Sequence, residues 1–162
     1  MSTTTRRGMK HSRTPCAEKL RPEMRPKVVP DPRQPGRMLV PTPLILAEEI
    51  RKVPHGALIT FRELRDRLAR RFTAAHTCPL TTGIFFNILA GTAEEEAAAG
   101  NPPIAPYWRV IRDDGTLSPK TPFGPERQAG RLKAEGHSIA GVKGVFRVKD
   151  CAPQPPKSGG SL

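Results

Sequence analysis

The only Tyr and the only Trp of the chain stand side by side in Pro106-Tyr107-Trp108-Arg109-Val110-Ile111. Aromatic rings can stack on a flat ligand, and a guanidinium pairs well with a carboxylate or a phosphate. A second pair of reactive types is His76 and Cys78, two residues apart in a predicted loop. A thiol beside an imidazole can form a nucleophile and its base. No acid stands close in sequence to orient that His, which favours a loop Cys near a surface His. Cys16, Cys78 and Cys151 lack the spacing of a disulfide framework or a zinc site, so neither a metal nor a cofactor is expected.

Helices and turns must hold these residues in place. Leu44, Ala47, Ile50 and Val53 recur at helical spacing, and Pro54 ends that helix. Thr60 caps a second helix that runs to about Phe72, with Glu63 at the capping-box position. Leu64, Leu68 and Phe72 give it an apolar stripe, and five Arg cover the rest. A third helix opens at Pro79-Leu80-Thr81-Thr82, where Thr81 or Thr82 can cap it, and stops at Gly100. Its Glu94-Glu95-Glu96 run reads as a polar, helix-forming end. Tyr107 to Leu117 reads as a strand or short hairpin around the turn Asp113-Asp114-Gly115. A fourth helix over Glu126–Glu135 ends at Gly136, and 137–148 forms a terminal hairpin. The predicted fold class is mainly α with a small β-hairpin, a winged-helix-like helix-turn-helix domain.

Charge points to an anionic partner. The net charge is +12. Residues 1–37 hold ten Lys/Arg against three Asp/Glu, and lack apolar periodicity. They read as a disordered basic Pro-rich arm, followed by one domain over 38–150 and a disordered tail over 151–162. Residues 1–30 lack a continuous apolar segment and no run reaches the length of a membrane span, so a cytoplasmic, nucleoid-associated setting without membrane contact is expected.

From about Ile50 to His137 the order of motifs resembles the DNA-binding domain of the alkylguanine-DNA alkyltransferases. The residues that carry the likeness are Val53-Pro54-His55-Gly56, Ile59-Thr60-Phe61, Pro106 to Ile111, Gly115-Thr116-Leu117 and Glu135-Gly136. The family's Pro-Cys-His-Arg-Val motif falls on Pro106 to Val110. The acceptor Cys is therefore Tyr107, the relay His is Trp108, and the Arg and Glu are Arg109 and Glu135. A phenol titrates near 10 and is a poor soft nucleophile, and an indole cannot shuttle protons. The methylated-DNA-protein-cysteine methyltransferase nucleophile is absent, and no catalytic residue is assigned.

The resemblance implies the branch of alkyltransferase-like proteins that lack the Cys, bind DNA carrying alkylated guanine and hand it to excision repair. On that basis the chain is expected to be a non-enzymatic, monomeric binder of double-stranded DNA, alkylated DNA included, with an excision-repair protein as partner. Tyr107, Trp108, Arg109, Phe123, Gly124 and Glu135 form the expected base pocket. Phe61, Arg62, Arg65, Arg70, Thr81 and Thr82 form the expected DNA contact, with Thr82 where the family has the Arg that enters the base stack. Two alternatives remain open: a cysteine-dependent DNA alkyltransferase that uses Cys78, and a DNA- or protein-binding module without lesion preference.

Overall fold

The computed structural model describes residues 16–149. The first fifteen residues of the basic arm and the tail from 150 lie outside it. Four helices dominate: α1 (Pro43–Arg51), α2 (Phe61–Arg71), α3 (Pro79–Ala98) and α4 (Pro125–Ala134). The strands are short: β1 (Lys27–Pro30), β2 (Arg37–Val40), β3 (Ile59–Thr60), β4 (His76–Thr77), β5 (Val110–Ile111), β6 (Ile139–Val142) and β7 (Val145–Val148). The fold is mainly α with a small β-hairpin.

Local chemistry sets the helix ends. The Thr60 hydroxyl accepts from the Glu63 amide at 3.1 Å, the predicted cap of α2, a contact of the kind that contributes about 1 kcal/mol. Gly136, at φ 95°, follows α4 in the left-handed region where glycine is favoured. At α3 the cap differs from the expectation. Cys78 is the N-cap residue, Pro79 takes the first helical position, and no side chain caps the helix. The hydroxyls of Thr81 and Thr82 instead turn back onto the Cys78 carbonyl, at 3.5 and 2.7 Å.

The core lies where α1, α2 and α3 meet the Tyr107 segment. Leu46, Ile50, Leu64, Leu68, Phe86, Leu89 and Tyr107 are all buried there. The α2–α3 pair is the predicted helix-turn-helix. Its long connection is not a plain loop, because it contains β4, which pairs in parallel with β2.

That pairing corrects the expected arm. Residues 16–37 carry structure. A 3-10 helix at Cys16–Leu20 packs on α3, where the Cys16 amide donates to both carboxylate oxygens of Glu95 at 3.0 Å. Gly91 permits the approach: a Cβ there would sit 2.4 Å from the Cys16 sulfur. Strand β1 then pairs antiparallel with β2, and the sheet order is β1-β2-β4. Leu39 on β2 is fully buried. A Pro-rich composition hid a strand of four residues because its hydrogen-bond partner supplies the order.

The Tyr107 segment also differs from the strand or hairpin predicted for it. Tyr107–Arg109 form a 3-10 turn, and only Val110 and Ile111 are extended. They pair in parallel with β3, fifty-one residues upstream, in the register Ile59↔Val110. The terminal hairpin forms as expected, antiparallel, with Val142 opposite Val145. It joins the Asp113-Asp114-Gly115 turn through Leu117, whose amide donates to the Phe146 carbonyl.

Candidate nucleic-acid interface and the closed Tyr107–Glu135 centre

Four aromatic rings run inward from the start of α2. Phe61 meets Phe86 edge-on at 4.7 Å, Phe86 meets Tyr107 at 6.1 Å, and Tyr107 meets Trp108 at 5.6 Å. Such edge-to-face pairs add to the area they bury. Tyr107 is wholly buried and Trp108 is 9 % exposed. The expected base pocket at Tyr107 is therefore not open. Its ring is core, for a plain reason: Phe86 and Trp108 occupy its neighbourhood and its hydroxyl is already spent.

That hydroxyl donates to Glu94 Oε1 at 2.8 Å. Arg131 reaches the same carboxylate with two donors, at 3.2 and 3.0 Å, and Arg127 lies 3.9 Å away. Burial and the carboxylate both push the Tyr107 phenol well above its usual range, so it stays protonated. Burial would raise the Glu94 carboxyl, but Arg131, Tyr107 and Arg127 outweigh it and hold it below the usual range.

Glu135 organises a second cluster. It accepts from Trp108 Nε1 at 2.6 Å, from Arg109 Nε and Nη2 at 2.9 and 3.0 Å, and from the Gly56 amide at 3.2 Å. Arg109 also donates to the Val53 carbonyl at 2.7 Å. Burial opposes ionisation of Glu135, yet these donors overcome it and lower its carboxyl to about 2. Trp108 lies within cation–π range of Arg109 and Arg131, at 5.9 and 5.3 Å. Both Glu135 oxygens accept hydrogen bonds and no thiol is present. The cluster can hold the Tyr107 turn rigid but offers no nucleophile.

Gln128 belongs to this centre. It is 1 % exposed, and its amide donates to the carbonyls of Trp108 and Val110, at 3.2 and 2.8 Å. Sequence reasoning missed it and Glu94. A signal existed for Glu94. Thr82, Phe86, Leu89, Ala90 and Ala93 form the buried stripe of α3, and position 94 continues it. Only its place in an acidic run disguised it.

The remaining predicted site residues lie at the surface or close to it, Thr82 excepted. Phe61 is half-buried and lines a shallow cleft of about 340 Å³ with Arg112, Asp113 and Asp114. Arg62 is exposed, with its amide on Asp113 Oδ1 at 3.0 Å and its guanidinium 3.6 Å from Oδ2. Arg70 is exposed, 3.6 Å from Glu63, which also takes Arg67. Arg65 has no salt bridge to an acid among the described residues, and the Arg112 charge helps hold the Asp114 carboxyl below its usual range. Thr81 is half-buried, and Thr82 is 1 % exposed with its hydroxyl committed to Cys78. Thr82 thus has no free face with which to enter a base stack. The outward residues of the first turns of α3 are instead Leu80 and Ile84, at 63 % and 50 % exposure.

Phe123 is 56 % exposed, at φ 66°, a conformation that costs a bulky side chain energy. It stands over a cleft of about 490 Å³ formed with Glu126, Arg127, Gly130 and Arg131. Gly124, at φ 82°, precedes α4. These two residues keep a surface on which a ring can lie; Tyr107 does not.

The Cys78–His76 pair does not form a couple. His76 hydrogen-bonds Asp31, forty-five residues upstream, and no hydrogen bond joins it to Cys78 among the described residues. Burial raises the half-buried Cys78 thiol, but the Thr81 hydroxyl, the amides of Thr81 and Leu80 and the nearby Arg33 outweigh it and lower its pKa. Among the described residues no group of three or more His, Cys, Asp or Glu could hold a metal ion, and no helix is long and apolar enough to cross a membrane.

No protein-family model matches the chain, and no curated protein does. Among solved structures the chain is similar to S. pombe ATL in complex with DNA, at 22% identity and a TM-score of 0.46, over 65% of this chain and 85% of that one. It is also similar to S. pombe Atl1 in complex with damaged DNA containing O6-carboxymethylguanine, at 23% identity and a TM-score of 0.44, over 63% of this chain and 82% of that one.

Proposed function

We propose that this protein is a non-enzymatic binder of double-stranded DNA that recognises alkylated guanine and serves DNA repair. The observation that carries the reading is the pairing of two surfaces. One is the Arg-rich α2, with Arg62, Arg65 and Arg70 beside Arg112. The other is the start of α3, whose exposed face is uncharged and apolar at Leu80 and Ile84. Cations supply sequence-independent attraction to phosphates. An apolar helix face suits a groove whose bases are read by shape and deformability rather than by hydrogen bonds.

The closed centre beneath explains why no reaction follows. Where the resembling family carries Cys and His, Tyr107 and Trp108 are locked to Glu94 and Glu135. An extruded base would lie against Phe123, in the cleft that Arg127 and Arg131 line. An excision-repair partner would then act on the marked site.

Replacing Arg62, Arg65 and Arg70 together by Ala tests the interface. Each lost phosphate contact lowers the slope of log affinity against log salt by about 0.9. The triple variant should bind a short duplex with a slope smaller by about 3 and with affinity lower on the order of a hundredfold near 0.1 M salt. An unchanged slope in the folded variant would remove α2 from the interface. A labelled alkyl group found on Cys78 after incubation with alkylated DNA would replace the non-enzymatic reading with the cysteine-dependent one.

A further inference from the structure

The β1–β2 hairpin precedes the stretch of motif resemblance, yet it is bound to the connection between α2 and α3. Strand β2 pairs in parallel with β4, which lies in that connection. The Ala75 amide donates to the Arg37 carbonyl and the Cys78 amide to the Leu39 carbonyl, each at 2.9 Å. Gly36, at φ 105°, brings the hairpin loop so close that a Cβ there would stand 2.9 Å from the Ala75 side chain. Asp31 hydrogen-bonds His76 on β4. Residues 75–78 are thus held by the hairpin, and α3 begins at the next position, Pro79. Whatever Leu80 and Ile84 touch has the β1–β2 hairpin at its flank.

Charge identifies what this hairpin meets. From Arg25 to Val40 the chain carries the exposed cations Arg25, Lys27, Arg33 and Arg37 against a single acid, Asp31. That acid is turned inward. Its side chain is 4 % exposed, accepts from the Arg33 amide at 2.7 Å and holds His76. Arg37 is spent on the hairpin itself, where it donates to the Val28 carbonyl at 2.7 Å. Lys27 stands opposite Val40, on the rung next to the Leu39 that holds Cys78. Arg33 stands in the loop, close enough to the start of α3 for its charge to help lower the Cys78 thiol. Pro30, Pro32 and Pro35 fix φ on either side of it. A cation held on so constrained a loop loses little conformational freedom on binding.

We propose that the β1–β2 hairpin is a second DNA-binding element, separate from the helix-turn-helix, that seats Lys27 and Arg33 on phosphates flanking the α3 contact. Phosphate contacts of this kind set register and orientation without reading sequence. The inference rests on the reading of the protein as a DNA binder.

The test titrates the full chain with a fluorescein-labelled plain duplex of about 25 base pairs over a salt series. Lys27→Gln combined with Arg33→Gln should lower the salt slope by about 2 and weaken binding on the order of tenfold near 0.1 M salt. It should also shorten the hydroxyl-radical footprint on one flank. Lys27→Arg combined with Arg33→Lys keeps both charges and should keep the wild-type slope. A wild-type slope and footprint in the glutamine variant overturn the hairpin contact and leave the DNA reading intact. An equal loss of slope in both variants also overturns it, since shape rather than charge would then carry the effect. Absence of duplex binding by the wild type overturns the DNA reading and the hairpin contact together.

Discussion

Glu135→Ala will destabilise the fold by about 3 to 5 kcal/mol, the cost of leaving a buried cation without its partner. The side chains of Arg109 and Glu135 are only 13 % and 7 % exposed, so water cannot readily replace the lost carboxylate. The indole N–H of Trp108 and the Gly56 amide lose their acceptor as well. The same cluster sets a pH dependence. The Glu135 carboxyl titrates at about 2 in the fold against an ordinary value of 4.5. A depressed folded pKa gives stability that is complete above the unfolded value and disappears as pH falls through the folded one. About 3 kcal/mol should therefore be lost between roughly pH 4.5 and pH 2. Chemical denaturation at several pH values checks both statements. Glu135→Gln should show a shallower acid limb than wild type, and an alanine variant within about 1 kcal/mol of wild type would refute the role given to the cluster.

Glu94→Leu will cost about 2 to 4 kcal/mol, and Tyr107→Phe will restore part of it. The leucine leaves the Tyr107 hydroxyl buried without an acceptor, which carries the full desolvation penalty. Arg131 and Arg127 are 34 % and 56 % exposed, so they can turn to water and contribute less to the loss. Tyr107→Phe alone leaves Glu94 with Arg131 and should cost only about 1 kcal/mol. The double variant should thus be more stable than Glu94→Leu alone. Strict additivity in a double-mutant cycle would show that the two side chains do not act as a pair.

What was legible in the sequence was local. The cap at Thr60, the glycine stop at Gly136 and the terminal hairpin over 137–148 each depend on residues close to one another in sequence. The parallel pairs β3–β5 and β2–β4 have two residues a side and partners tens of residues away, so no periodicity announces them. Order in residues 16–37 was hidden for the same reason: Val28 has little apolar context in sequence but lies opposite the buried Leu39. At the site, Arg109 and Glu135 form one ion pair across twenty-six residues of sequence. Tyr107 did not line a pocket, because Glu94, thirteen residues upstream, supplies a buried acceptor for its hydroxyl. The acid that orients His76 was likewise invisible, since Asp31 reaches it across the β1–β2 loop.

The proposed function stands on a surface that should hold DNA and a centre that should not react with it. Titration of the full chain against matched duplexes, one plain and one carrying a single O6-alkylguanine, over a salt series tests both at once. Binding with a steep negative salt slope, tighter on the alkylated duplex at every salt concentration and without transfer of the alkyl group, is the predicted result. Equal affinities would mean backbone binding without lesion recognition, and no binding to either duplex would contradict the account.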